Sequence, residues 1–107
     1  MKFGLEDNVI TAINSVFEKF SEVEEAIIYG SRAKGNHRVG SDIDLTLIGK
    51  DLDYSILTKI NIEIEELNLP YLFDISIFHK IKSNDLIEHI NRVGQVFYEK
   101  VPKHVAI

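Results

Sequence analysis

Asp42 and Asp44, separated by one residue, are the groups in this chain best placed to do chemistry. In extended backbone, side chains two positions apart share a face. Both carboxylates therefore point the same way, while Ile43, Leu45 and Leu47 take the other face and can pack into a core. Paired carboxylates suit hard divalent cations, which take oxygen ligands and also bind phosphates. Upstream, Gly30 and Ser31 follow the hydrophobic run Ala26-Ile27-Ile28-Tyr29. A glycine there lets the backbone turn sharply and lets a ligand come close, because it has no Cβ. Ser31 can then start a short helix, whose free N–H groups and positive dipole end form an anion site. Arg32, Lys34, His37 and Arg38 make the connecting loop basic. A phosphate cradle beside two parallel carboxylates is a site for a metal-bound nucleoside triphosphate.

A third carboxylate, Asp74, sits inside the apolar stretch Tyr71 to Phe78. This stretch reads as a strand with Tyr71, Phe73, Ile75 and Ile77 on one face and Leu72, Asp74, Ser76 and Phe78 on the other. An isolated carboxylate inside a strand is costly unless it has a partner. If the first set packs on helices, Asp74 faces the same side as Asp42 and Asp44. Three converging aspartates repel one another unless divalent cations neutralise them, which suits magnesium.

Gly30-Ser31, ten intervening residues and Asp42-Ile43-Asp44-Leu45 resemble the signature of the DNA polymerase β-like nucleotidyltransferase superfamily. With Arg32 and Gly35 completing GSRAKG, the segment is similar to the minimal nucleotidyltransferase branch, and the resemblance runs roughly from Val9 to Glu99. It implies the small nucleotidyltransferase fold, α/β in the α+β sense. That fold is a mixed sheet of about three to five strands with helices packed on one face. It implies Asp42, Asp44 and Asp74 as catalytic and metal-binding residues, holding two Mg²⁺ ions, with ATP as the donor. Gly30 and Ser31 would hold the triphosphate, Arg32 or Lys34 would neutralise its charge, and Ser41 is a further nucleotide-binding position.

Small proteins of that branch are typically paired with a HEPN-domain protein encoded alongside. The resemblance implies a hetero-oligomer with such a protein and an antitoxin role, moving AMP from ATP to a tyrosine of the HEPN ribonuclease toxin. Two other readings stay open: a nucleotidyltransferase acting on a small molecule such as an aminoglycoside, and a non-catalytic module that silences its partner by binding. Arg32 and His37 also fit the R-x4-H spacing of HEPN ribonucleases, but a glycine and an asparagine interrupt it inside a loop. His79, His89 and His104 lack metal-ligand spacing and read as surface or cap residues, and Tyr29 reads as strand packing.

The elements that must position these residues follow from periodicity. Glu6 to Phe20 reads as an amphipathic helix with Val9, Ile10, Ile13, Val16, Phe17 and Phe20 on one stripe. Val23 to Tyr29 and Ser41 to Ile48 read as the first two strands. Tyr54 to Asn68 reads as a helix, ended ahead of Pro70. Ser83 or Asn84 is expected to cap a last helix to about Arg92, with Gly94 as a left-handed C-cap. Gln95 to Glu99 reads as a short extended segment and Lys103 to Ile107 as a frayed tail.

A length of 107 residues suits one nucleotidyltransferase domain over residues 1–107, with its core at about 6–99. A net charge of −5 argues against stable nucleic-acid binding, which relies on Lys and Arg to neutralise phosphates. The absence of cysteine excludes disulfides and thiolate metal sites. No signal-peptide pattern or membrane-length apolar run is visible, so a cytoplasmic protein with no membrane partner is expected.

Overall fold

Strand β1, Glu25–Tyr29, is the hub of the sheet: it pairs antiparallel with β2, Ile43–Ile48, on one side and with β4, Gln95–Glu99, on the other. β3, Phe73–Ile77, adds to the far side of β2 in parallel, giving the order β3-β2-β1-β4 in a mixed four-stranded sheet. The computed structural model describes residues 1–100, so the tail expected to fray lies outside the described residues. The segment Gln95 to Glu99, read from sequence only as extended, is thus a full edge strand. A bulge between Ala26 and Ile27 interrupts its pairing with β1.

Among the described residues, four α-helices and a 3-10 turn at Phe78–Lys80 complete the element list: α1 Asp7–Glu18, the short α2 Ser31–Lys34, α3 Tyr54–Glu66 and α4 Asn84–Val93. The apolar stripe of α1 buries Ile13, Val16 and Phe17, and α3 buries Ile60 and Ile64. These side chains share one core with Ala26 and Ile28 of β1, Ile43, Leu45 and Leu47 of β2, and Ile75 and Ile77 of β3. Strand alternation leaves Ile27, Tyr29, Asp44, Thr46, Asp74 and Ser76 on the opposite face. The two long helices cover the core face. The shorter α4 leans on the other, where His89 meets the Tyr29 ring edge-on and Gly94 lies against Ile27.

Caps fix the helix starts. The Asp53 side chain accepts a hydrogen bond from Ile56 N at 2.9 Å, and the Ser83 hydroxyl accepts one from Leu86 N at 3.2 Å. Gly94 does not end α4 in the left-handed conformation expected of it. It is extended, at φ −64° and ψ 146°, and leads straight into β4. Packing explains the glycine instead: a Cβ there would overlap the Ile90 carbonyl oxygen and crowd the Ile27 side chain.

The first five residues are structured as well. Lys2 and Leu5 exchange backbone hydrogen bonds around Phe3 and Gly4, whose φ values are 57° and 72°. Positive φ at both central residues is the requirement of a tight hairpin turn, and it is strained for a bulky phenylalanine. Leu5 is fully buried and Phe3 rests on Phe97, with ring centroids 5.9 Å apart, so the core begins one residue before the expected Glu6. No helix among the described residues is long and apolar enough to cross a membrane.

Candidate functional site

The turn after β1 is set by one glycine. Gly30 adopts φ 75° and ψ −155°, a region that glycine enters freely and other residues rarely do. A Cβ on Gly30 would overlap Oδ2 of Asp44. The glycine therefore serves both the turn and the close approach of a carboxylate. Ser31 is the first residue of α2, and Gly35 closes that single turn in the left-handed conformation at φ 82°.

Register places the carboxylates. Asp44 stands opposite Asp74 across the parallel β2–β3 pair and opposite Tyr29 across the antiparallel β1–β2 pair. Registered neighbours in a sheet point to the same face, so the Asp44 and Asp74 side chains are adjacent. Asp42 falls just outside β2, which begins at Ile43 rather than Ser41, and it is exposed. The start of β2 is fixed by Ile43 N, which donates to Leu72 O at 2.9 Å.

These charges disturb one another. Burial pushes the Asp44 carboxyl above its usual range, Asp74 and then Asp42 push it further, and His89 opposes the rise. Among the described residues, no Lys or Arg forms an ion pair with any of the three aspartates. Nor are any three His, Cys, Asp or Glu side chains among the described residues already drawn together as a metal-ligand group. The donor chemistry nevertheless fits a hard cation. Two registered carboxylates supply adjacent oxygens, and the exposed Asp42 has rotamers free to turn toward them.

The basic loop divides its labour. Arg32 is 3% exposed, and its guanidinium is turned onto backbone carbonyls. Its Nε and Nη2 donate to the Ser41 carbonyl at 3.1 and 2.9 Å, and Nη1 donates to the carbonyls of Phe3 at 2.9 Å and Gly4 at 3.5 Å. The guanidinium also lies 5.1 Å from the centre of the Tyr71 ring. It thus ties the amino-terminal turn to the residue that precedes Asp42. Lys34 is exposed. The Ser41 hydroxyl accepts a hydrogen bond from Arg38 N at 2.8 Å, which closes the loop before Asp42.

Tyr29 and His89 belong to the site although their spacing in the sequence gives no signal of it. Tyr29 is buried beside the carboxylates, and its ring meets the His89 imidazole at a centroid distance of 6.1 Å and an angle of 81°. Burial raises its phenol pKa, with Asp74 and Asp44 adding to the rise and the neighbouring Ser76 hydroxyl opposing it. Ser76 in turn donates to the Thr46 hydroxyl at 2.9 Å, forming a polar floor next to Asp44 and Asp74. His37 is half-buried against Gly4, and its Nδ1 is buried with no hydrogen-bond partner among the described residues. His79 is exposed, in the turn after β3.

Comparison with known proteins agrees with this geometry. Residues 11–103 match the family model described as polymerase beta, nucleotidyltransferase. The chain belongs to that nucleotidyltransferase family, and its fold is the family's small mixed α/β form. No curated protein matches the sequence. Among solved structures, the chain is similar to a toxin–antitoxin with AMP-PNP, with a TM-score of 0.67 and 17% identity over 91% of this chain and 76% of that one. It is similar to the complex of a tri-AMPylated Shewanella oneidensis HEPN toxin with its MNT antitoxin, with a TM-score of 0.64 and 14% identity over 90% of this chain and 74% of that one. A third similar structure is the toxin–antitoxin MntA-HepT, with a TM-score of 0.64 and 14% identity over 89% and 74% of the two chains.

Proposed function

We propose that this chain is a magnesium-dependent nucleotidyltransferase that moves AMP from ATP to a tyrosine of a partner HEPN toxin, acting as its antitoxin. The observation that carries the reading is the placement of Asp44 against both Asp74 and Gly30, which joins a carboxylate pair to the glycine turn that follows β1. The likeness to a toxin–antitoxin with AMP-PNP and to an AMPylated HEPN toxin in complex with an MNT antitoxin supports ATP as donor and a HEPN protein as partner in a hetero-oligomer.

In this reading Asp42, Asp44 and Asp74 hold Mg²⁺ as oxygen ligands. A metal ion held there would supply neutralisation of the triphosphate charge and a lowered pKa for the acceptor hydroxyl. The Gly30-Ser31 backbone and the Ser31 hydroxyl hold the β and γ phosphates, and Lys34 meets their remaining charge. Asp74, exposed on the edge strand, accepts the proton from the acceptor hydroxyl as its oxygen attacks the α-phosphorus. The bond from that phosphorus to the bridging oxygen breaks, and pyrophosphate leaves. Arg32 contributes by fixing the Ser41 carbonyl and hence the approach of Asp42. Positioning and electrostatics supply most of the catalysis in such transfers. The domain limits at residues 1–107 belong to the same reading.

The test is an incubation of the chain with Mg²⁺, ATP and the HEPN-domain product of its neighbouring gene, followed by intact mass measurement. An AMP-sized gain on the partner is expected, and none with the double variant Asp42→Ala and Asp44→Ala. A stable complex with no gain in mass would replace transfer by silencing through binding.

A further inference from the structure

We propose that a groove between the C-terminal half of α3 and the start of β3 is the surface on which the acceptor protein docks, and that it takes a basic, amphipathic segment of that protein. The inference rests on the reading of the acceptor as a protein. The groove has a volume of about 310 Å³ and is lined by the apolar Ile64, Leu69, Leu72 and Phe73 together with Tyr71, Asn61 and Glu65. Glu65 also lines an adjoining cavity with Ile62 and Glu66, so the two form one surface. Leu72 is 73% exposed and Ile62 54% exposed, at either end of it.

Two features of charge define the occupant. The last turns of α3 carry Glu63, Glu65 and Glu66 and no basic residue. A helix C-terminus favours cations, so this acidic end is unfavourable on its own. Glu63 is met by Lys19 at 2.9 Å, but among the described residues Glu65 and Glu66 form no ion pair. Lys or Arg side chains of a partner would satisfy both the carboxylates and the helix end, while an apolar side chain between them fills the groove.

Position links the groove to the chemistry. Leu72 lies two residues before Asp74, just ahead of β3, at the outer edge of the sheet. β3 is a terminal strand of the sheet, which leaves this side open among the described residues. Tyr71, in the groove wall, carries the Arg32 guanidinium that holds the residue before Asp42. A segment seated in the groove would lie along the open edge of β3, and a hydroxyl a few residues further along it could cross that edge to Asp74.

The experiment measures the affinity of the purified HEPN-domain neighbour for the wild-type chain, for Leu72→Gln, and for the charge reversal Glu65→Lys with Glu66→Lys. All three substitutions are at exposed positions outside the carboxylate site, and Mg²⁺-ATP affinity of each variant checks that the fold is intact. Each variant should bind the partner at least tenfold more weakly with unchanged ATP affinity. Wild-type binding should also weaken with added salt more than binding of the charge reversal does. Partner affinity equal to wild type in both variants would overturn the proposal. So would a loss seen only in self-association of the chain, measured by sedimentation, because the occupant would then be a second copy. Intact masses of the partner are read in the same samples. Wild type that binds without an AMP gain would end the transferase reading while leaving the docking surface standing.

Discussion

Asp44 and Asp74 stand in register on adjacent parallel strands, facing the same way, with no cationic side chain of the described residues paired to either. Such a pair is held together by the sheet against its own repulsion. The fold therefore carries an electrostatic cost at the place where a cation is expected to bind.

That cost should appear in the pH dependence of stability. The folded-state pKa of Asp44 is raised by burial and by Asp74 and Asp42, whereas an unfolded aspartate titrates near its ordinary value of about 3.9. The folded chain thus holds the Asp44 proton more tightly. The associated stability is fully present below the ordinary value and is lost as pH rises through the raised one. At neutral pH, Asp44→Asn should melt above wild type by a few degrees, and the difference should vanish in acid. Mg²⁺ should raise the wild-type Tm more than that of the variant. Thermal melts at several pH values, with and without Mg²⁺, check both statements.

Gly30→Ala should fail for two reasons at once. Its φ of 75° is unfavourable for alanine, and the added methyl meets the Asp44 carboxylate. A loss of about 1–3 kcal/mol is expected from the backbone alone. Urea denaturation measures it, and nucleotide binding should fall with it because the carboxylate must move.

Arg32→Lys should destabilise the chain by about 1–3 kcal/mol, since one ammonium cannot reach the carbonyls of Ser41, Phe3 and Gly4 together. Hydrogen exchange should quicken in residues 2–5 and in the loop before Asp42. If Arg32 instead met phosphate directly, the lysine would keep the fold intact and weaken only nucleotide binding.

At Gly94 the extended backbone suits any residue, so a substitution acts through contact with Ile90 and Ile27. Gly94→Ala should cost about 1–3 kcal/mol by overpacking, and Gly94→Asn should cost more. A left-handed cap would reverse that order, because asparagine tolerates positive φ better than alanine. Tm values of the two variants separate these cases.

Much of the site could be read from residue types and spacing. Gly30-Ser31 and the two early aspartates are local signals, and alternation around Asp74 foretold its face. The exposed Asp42, just outside its strand, shows the limit of such reading, since strand ends depend on partners such as Leu72. Arg32 was legible as a cation in a basic loop, but its acceptors are backbone carbonyls, which leave no mark in sequence. Two of those carbonyls lie in a turn with Phe3 at positive φ, a conformation that its type argues against. His89 reaches Tyr29 only because α4 crosses to the face of the sheet opposite the long helices. No spacing within the chain announces that crossing.

The most direct measurement is calorimetric titration of ATP into the chain with and without Mg²⁺, repeated with Asp44→Asn and Asp74→Asn. Under the proposed assignment of these carboxylates as the metal ligands, binding should require Mg²⁺ and weaken at least tenfold in each variant. ATP binding that ignores Mg²⁺, or that survives both substitutions unchanged, would contradict the assignment of these aspartates as the centre of the site.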